Sequence, residues 1–122
     1  MFETGALIIE GIPVWHEPEG RNAVFLPDSQ TLWDLIWQAR ESLDGFAHSH
    51  PGNGIPSPSH EDITTFAAIE SALGKRFTWW ITSSDKTAIV KWCGPGKLSY
   101  AVAEINNEPD WIHTLRSLSE FK

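Results

Sequence analysis

The sequence has little cysteine, little positive charge and no long apolar run. Its single cysteine, Cys93, excludes a disulfide framework within one chain. Sixteen acidic and nine basic residues give a formal charge of −7, which argues against a nucleic-acid binder because no basic surface can neutralise phosphates. The first apolar run, residues 6–9, is far too short for a signal sequence or a membrane span. We therefore expect a cytoplasmic protein with neither a nucleic-acid nor a membrane partner.

The remaining composition is typical of an ordinary globular domain. The chain has 122 residues, of which 41% are hydrophobic and 20% are charged. This length supports one hydrophobic core and is too short for two, so residues 1–122 are predicted to form a single domain. Seven tryptophans and six phenylalanines supply bulky core side chains, and tryptophan can also line a binding surface.

The first part of the chain predicts short strands around one helix. Residues 6–9, 14–16 and 22–26 have the pattern of strands, and a polar turn separates the last two. Apolar residues then recur at helical spacing, which predicts an amphipathic helix over residues 30–43. Residues 45–47 lead a further strand into a His-Ser-His sequence.

The second part predicts two more helices and three strands. Residues 51–58 are rich in proline and glycine and predict a loop, and Ser59 is a good N-cap for a helix that ends at Gly74. Residues 63, 66, 67 and 69–73 are predicted to form the buried side of that helix. Strands are predicted at 77–82, 87–92 and 99–105, and a last helix near Pro109. Because the order lacks a regular βαβ alternation, we expect an α/β sandwich around a mixed sheet.

A cluster of metal-binding residue types surrounds the predicted loop. Alternate residues of a strand point the same way, so His48 and His50 can meet one ion. The loop returns the chain to a helix whose first turn carries Asp62. Two imidazoles and a carboxylate leave the fourth zinc position for water, which is typical of catalytic zinc. The alternative is a chance His-x-His with Asp62 only capping the helix.

The longer pattern resembles the JAMM (MPN-plus) zinc metalloproteases. Their signature is an upstream Glu, then His-x-His-Pro, then Ser-x-x-Asp. This chain has Glu-Thr-Gly-Ala-Leu from Glu3, His-Ser-His-Pro from His48 and Ser-His-Glu-Asp from Ser59. The resemblance spans residues 3–62 and, more loosely, the later strands. It implies an α/β fold (α+β mixed) in which helices flank a curved mixed β-sheet, as in cytidine deaminases.

The resemblance also implies a role for each matching residue. His48, His50 and Asp62 would hold Zn²⁺. Glu3 would take a proton from the metal-bound water and pass it to the leaving amine. Ser59 would donate a hydrogen bond to the oxyanion of the tetrahedral intermediate.

The spacing departs from the family at one point. The segment between His50 and the Ser-x-x-Asp motif is one residue longer here, which puts Glu61 where the family has its aspartate. We prefer Asp62 as the third ligand because a glycine-rich loop absorbs an extra residue easily. Glu61 remains the alternative.

The function implied is that of a compact prokaryotic JAMM peptidase or isopeptidase. Its substrate would be a protein or peptide, such as the tail of a ubiquitin-like protein or a cell-wall or phage-tail peptide. An extended tail is expected to add to a sheet edge. The alternatives are a non-catalytic MPN-type scaffold for protein interactions and a small-amide or deaminase-like hydrolase. The absence of a Cys-x-x-Cys pair disfavours a nucleobase deaminase.

Other residues with reactive side chains are predicted to be structural or surface residues. His16, His60 and His113 have no partner at ligand spacing. Trp79 and Trp80 are neighbours on a predicted strand, so one ring should enter the core and the other should cover the opposite face.

Overall fold

The computed structural model describes residues 4–16 and 30–119. Within these ranges the chain is a mixed α/β structure of six strands and three helices. In chain order the elements are β1 (Gly5–Ile9), β2 (Ile12–His16), α1 (Gln30–Ala39), β3 (Leu43–Ser49), α2 (His60–Leu73), β4 (Thr78–Thr82), β5 (Thr87–Trp92), β6 (Tyr100–Ile105) and α3 (Trp111–Ser119). None of these helices is long and apolar enough to cross a membrane. The strand predicted at 22–26 lies outside the described residues.

All six strands belong to one mixed sheet, in the order β2-β1-β3-β4-β5-β6. Strands β3 and β4 run parallel, and the other neighbouring pairs run antiparallel. A parallel pair needs a crossover connection, and α2 provides it between β3 and β4. The predicted mixed sheet with flanking helices is therefore confirmed at the level of fold class.

Helices pack on both faces of the sheet. One face contacts α1 and α2 through a large aromatic and aliphatic core, in which the Trp79 ring stacks between Phe46 at 4.5 Å and Phe66 at 4.0 Å. The opposite face contacts α3 through a second, smaller core. Its buried residues are Ala6, Ile8, Ala47, Ile112 and Leu115. Successive residues of the central strand β3 therefore face two different helical layers.

The prediction that one tryptophan ring points to each face of the sheet is confirmed. Trp79 is fully buried in the core on the α2 side. The half-buried Trp80 packs edge-to-face against Trp111 of α3, with ring centroids 5.4 Å apart.

The first helix ends earlier than the sequence predicts. The prediction for 30–43 was wrong at its end, because α1 stops at Ala39 and a turn follows in which the Ser42 N–H donates to the Ala39 carbonyl. Leu43 fits the helical spacing, but it is a buried strand residue that pairs with Ile9. Strand pairing outweighs the local helical pattern here.

The second helix has a narrower buried side than predicted. Phe66, Ile69 and Glu70 are buried, whereas Ser71 and Ala72 are exposed. The predicted run of buried residues 69–73 was therefore wrong in part, because a continuous run of five turns through more than one full circle of a helix.

Candidate metal site

The first half of the site is the carboxyl end of β3. His48 pairs with Gly5 of β1 on one side and with Ile81 of β4 on the other, and its side chain is fully buried. The His50 N–H donates to the Thr82 carbonyl at 2.8 Å, so pairing with β4 continues past the end of the strand. The two imidazole rings lie on the same face, with centroids 4.8 Å apart. Strand alternation thus places both rings as predicted.

The second half is the amino end of α2. Ser59 is the N-cap, and its hydroxyl accepts the Asp62 N–H at 3.0 Å. Asp62 Oδ2 accepts the Ser59 N–H at 2.9 Å, which completes the capping box. The same oxygen lies 3.0 Å from His50 Nε2 and 3.9 Å from His48 Nε2. The capping box therefore fixes the carboxylate that faces both imidazoles.

The loop between the two halves is tied to the β4–β5 turn. The Ser84 N–H donates to the Gly52 carbonyl at 3.1 Å, and the Ser83 hydroxyl donates to the Gly54 carbonyl at 2.6 Å. The Gly54 N–H donates to Asp85 Oδ1 at 2.8 Å. Both glycines have positive φ, 95° and 81°, a conformation that other residues rarely adopt. These contacts hold the loop that carries the extra residue.

Burial and hydrogen bonding fix the protonation of two of the three residues. Burial lowers the pKa of His48, and the neighbouring His50 lowers it further against the opposing effect of Asp62. Partial burial raises the pKa of Asp62, but the two nearby imidazoles and the hydrogen bond from the Ser59 N–H outweigh it and hold that pKa well below its usual range. Near neutral pH His48 is neutral and Asp62 is ionised, which are the forms that bind a metal.

The three side chains have the donor atoms and spacing for a metal ion. One ligand atom from each of His48, His50 and Asp62 lies within 4.8 Å of the others. Tetrahedral zinc with bonds of about 2.0–2.1 Å separates its ligands by roughly 3.3–3.4 Å, so small side-chain rotations suffice. The His50 and Asp62 side chains keep 17% and 22% exposure, which leaves one side open to water. Across residues 4–16 and 30–119, these three form the group that could hold a metal.

Of the remaining predicted site residues, some lie within the described part of the chain and others do not. Ser59 is exposed at the start of α2, and as an acceptor in the capping box its hydroxyl keeps its own proton for donation. Glu61 is exposed and is not a member of the metal-binding group. Glu3 lies outside the described residues, as does the side chain of His16. The part of the chain that is described therefore brings together Asp62, rather than Glu61, with the two histidines.

Two histidines that the sequence predicts to be surface or structural residues are exposed. His60 lies at the first residue of α2 and His113 in α3, and neither belongs to the metal-binding group.

Sequence reasoning missed a buried carboxylate on the same helix. Glu70 is 3% exposed and accepts hydrogen bonds from the Phe77 N–H at 2.8 Å and from the Trp79 indole at 3.0 Å. It also accepts from Arg76 at 3.1 Å and from the Tyr100 hydroxyl. The signal that could have revealed it was the position of this acidic residue within residues 69–73, which the sequence predicts to be buried.

Comparison with protein-family models and with curated proteins finds no match to this chain. The site and the motifs that surround it therefore carry the evidence for function.

Proposed function

We propose that the chain is a zinc-dependent hydrolase of the JAMM (MPN-plus) type, which cleaves a peptide or isopeptide bond with a metal-activated water. The observation that carries the proposal is the convergence of His48, His50 and Asp62 where the carboxyl end of β3 meets the amino end of α2, with one side open to water. Two imidazole nitrogen donors, one carboxylate and an accessible side are the features of catalytic rather than structural zinc.

The surrounding motif favours hydrolysis over other metal chemistry. Two histidines and one carboxylate also hold ferrous iron in some oxygenases, so the ligand types alone do not choose the metal. The resemblance to the JAMM signature includes Glu3 and Ser59, which have roles in hydrolysis. When bound, zinc would supply a hydroxide-like nucleophile near neutral pH and would polarise the scissile carbonyl.

Glu3 is proposed to accept the proton of the attacking water and to return it to the leaving amine. The support comes from its neighbours in sequence. The Thr4 N–H donates to the Ser49 hydroxyl at 3.0 Å, and Gly5 is the register partner of His48. The chain next to Glu3 is thus bound to the strand that carries the histidines.

Ser59 is proposed to stabilise the oxyanion. Its hydroxyl oxygen already accepts the Asp62 N–H, so its orientation is fixed while its proton stays available. A donor of this kind contributes about 2.7–4 kcal/mol in other acyl-transfer enzymes.

The proposed substrate is a protein or peptide that binds in an extended conformation, such as the tail of a ubiquitin-like protein. Strand β6 supports this choice, because it is one of the two edge strands of the described sheet and its four central residues are exposed. An exposed edge can pair with an added strand. The rival function is an MPN-type scaffold without activity, but a scaffold has no need of the three converging ligands.

Metal analysis of the purified chain is the first test. After zinc is supplied, elemental analysis should give about one zinc per chain. The zinc should be lost in His48→Ala and kept in the matched control His113→Ala, which removes an exposed histidine. A wild-type chain that takes up no zinc, or that selects iron instead, would overturn the proposal.

Hydrolysis is the second test. The substrate is a ubiquitin-like protein whose Gly-Gly tail carries a fluorogenic amide, together with an unrelated fluorogenic peptide. Glu3→Gln should keep the zinc and lose hydrolysis. Full activity in Glu3→Gln would refute its role as the base, and a zinc-loaded wild type that cleaves neither substrate would favour the scaffold.

A further inference from the structure

Three buried hydroxyl residues form a cluster on the side of the sheet opposite to the metal site. Thr4, Ser49 and Ser119 are each 0% exposed. The Ser119 hydroxyl lies 2.7 Å from the Ser49 hydroxyl and 2.7 Å from the Leu115 carbonyl oxygen. The Thr4 N–H donates to the Ser49 hydroxyl at 3.0 Å. This cluster joins the residue before β1, the end of β3 and the last turn of α3.

The cluster is polar where its surroundings are apolar. The layer between the sheet and α3 is otherwise built from aliphatic and aromatic side chains, among them Ala47, Ile112 and Leu115. Alanine would fill the position of either serine without burying a polar group, whereas a buried hydroxyl is costly unless it is hydrogen-bonded. The Ser49 and Ser119 hydroxyls bond to each other and to backbone groups of Thr4 and Leu115, so the cluster fixes a specific geometry rather than adding apolar burial.

That geometry acts on the strand that carries the histidines. Ser49 lies between His48 and His50, and its side chain points to the opposite face of the sheet. Its N–H donates to the Thr4 carbonyl at 3.1 Å, and the next N–H, that of His50, donates to Thr82 at 2.8 Å. The segment is thus held by Thr4, by β4 and, through Ser119, by α3. A rotation of this pleat would move both imidazoles.

We infer that Ser119 is a positioning residue of the metal site, which acts through Ser49 to hold the two histidine backbones in the geometry that binds zinc. The inference rests on the proposed function, because it assumes that His48 and His50 hold the ion. Groups that orient metal ligands without touching the metal typically change affinity by about 10–100-fold. Ser119 acts through one intervening residue, so the lower end of that range is expected.

The test compares zinc affinity among matched variants of the full chain, by competition with a chromophoric chelator. Ser119→Ala should weaken zinc binding about tenfold. Ser49→Ala should do the same, and the double variant should be no weaker than either single variant. The control is Ile112→Val, which loosens the same helix–sheet contact without touching a hydroxyl. It should lower the unfolding midpoint and leave zinc affinity unchanged.

The possible results distinguish failure of this inference from failure of the proposed function. An unchanged affinity in Ser119→Ala, beside normal uptake by the wild type, overturns this inference and leaves the proposed function standing. An equal loss of affinity in Ile112→Val, or additive losses in the double variant, shows that α3 contributes general stability and also overturns it. A wild type that binds no zinc overturns both proposals.

Discussion

Two acidic side chains on helix α2, Asp62 and Glu70, lie about 12 Å apart along its axis and have very different partners. Asp62 is partly exposed at the first turn and faces two imidazole nitrogens. Glu70 is buried near the last turn. Its partners are backbone, indole, guanidinium and hydroxyl donors.

The difference shows how the partners decide what a carboxylate does. The Glu70 carboxylate accepts hydrogen bonds from four donor groups. These bonds use most of its acceptor sites, so it has little capacity left for a metal. Asp62 accepts one backbone N–H, and its other partners are imidazoles, whose nitrogens can give up a proton and bind a cation instead. Glu70 is therefore assigned to stability and Asp62 to the metal site.

The largest expected effect is the loss of stability in Glu70→Ala. The substitution leaves the Phe77 N–H and the Trp79 indole buried without their acceptor, and it breaks the contact with Arg76. Arg76 is half exposed, so the cost comes mainly from the two buried donors, each of which costs about 1–3 kcal/mol when it is left without an acceptor. Urea unfolding of the zinc-free protein measures the loss. Glu61→Ala, on the exposed side of the same helix, is the control and should change stability by about 0.5 kcal/mol or less. If Glu70→Ala were as stable as the wild type, Glu70 would have no stabilising role, and the contrast between Glu70 and Asp62 would fail.

The next effect concerns zinc affinity at the other carboxylate. Asp62→Asn keeps an amide oxygen that can accept the Ser59 N–H, so the helix cap and the stability should change little. The charge of the ligand is lost, and zinc binding should weaken by about 100-fold or more, above the range for groups outside the first coordination sphere. Chelator competition measures it. Glu61→Gln should bind zinc normally, and the reverse result would restore Glu61 as the third ligand.

Local sequence patterns predicted the grouping of His48, His50 and Asp62 better than they predicted the contacts of the surrounding structure. Strand alternation placed His48 beside His50, and the capping box placed Asp62, because both patterns act within a few residues. The end of α1 was wrong because Leu43 pairs with a distant strand. Glu70 was missed for the same kind of reason, since its donors come from other elements.

The zinc-free protein should lose stability as the pH falls below about 6.5. Burial lowers the pKa of His48 from its ordinary value of 6.5. Below that value the unfolded chain binds a proton that the folded chain excludes, so the stabilisation is complete above pH 6.5 and declines towards lower pH. Urea midpoints between about pH 5 and 7.5 should show the slope. His48→Gln should flatten it, whereas His113→Ala should keep it. The same slope in His48→Gln would assign the effect to other groups.

The smallest expected effect removes one donor from Glu70 and leaves the carboxylate in place. Burial and the Glu70 carboxylate raise the pKa of Tyr100, so its hydroxyl stays protonated and donates. Tyr100→Phe deletes that donor, while the Phe77 N–H and the Trp79 indole still satisfy Glu70. The free energy of unfolding should fall by about 1 kcal/mol, and zinc affinity should not change. Urea unfolding and chelator competition on the same preparation measure both. A loss of zinc affinity would show that the two ends of α2 are coupled and that the two carboxylates do not have separate roles.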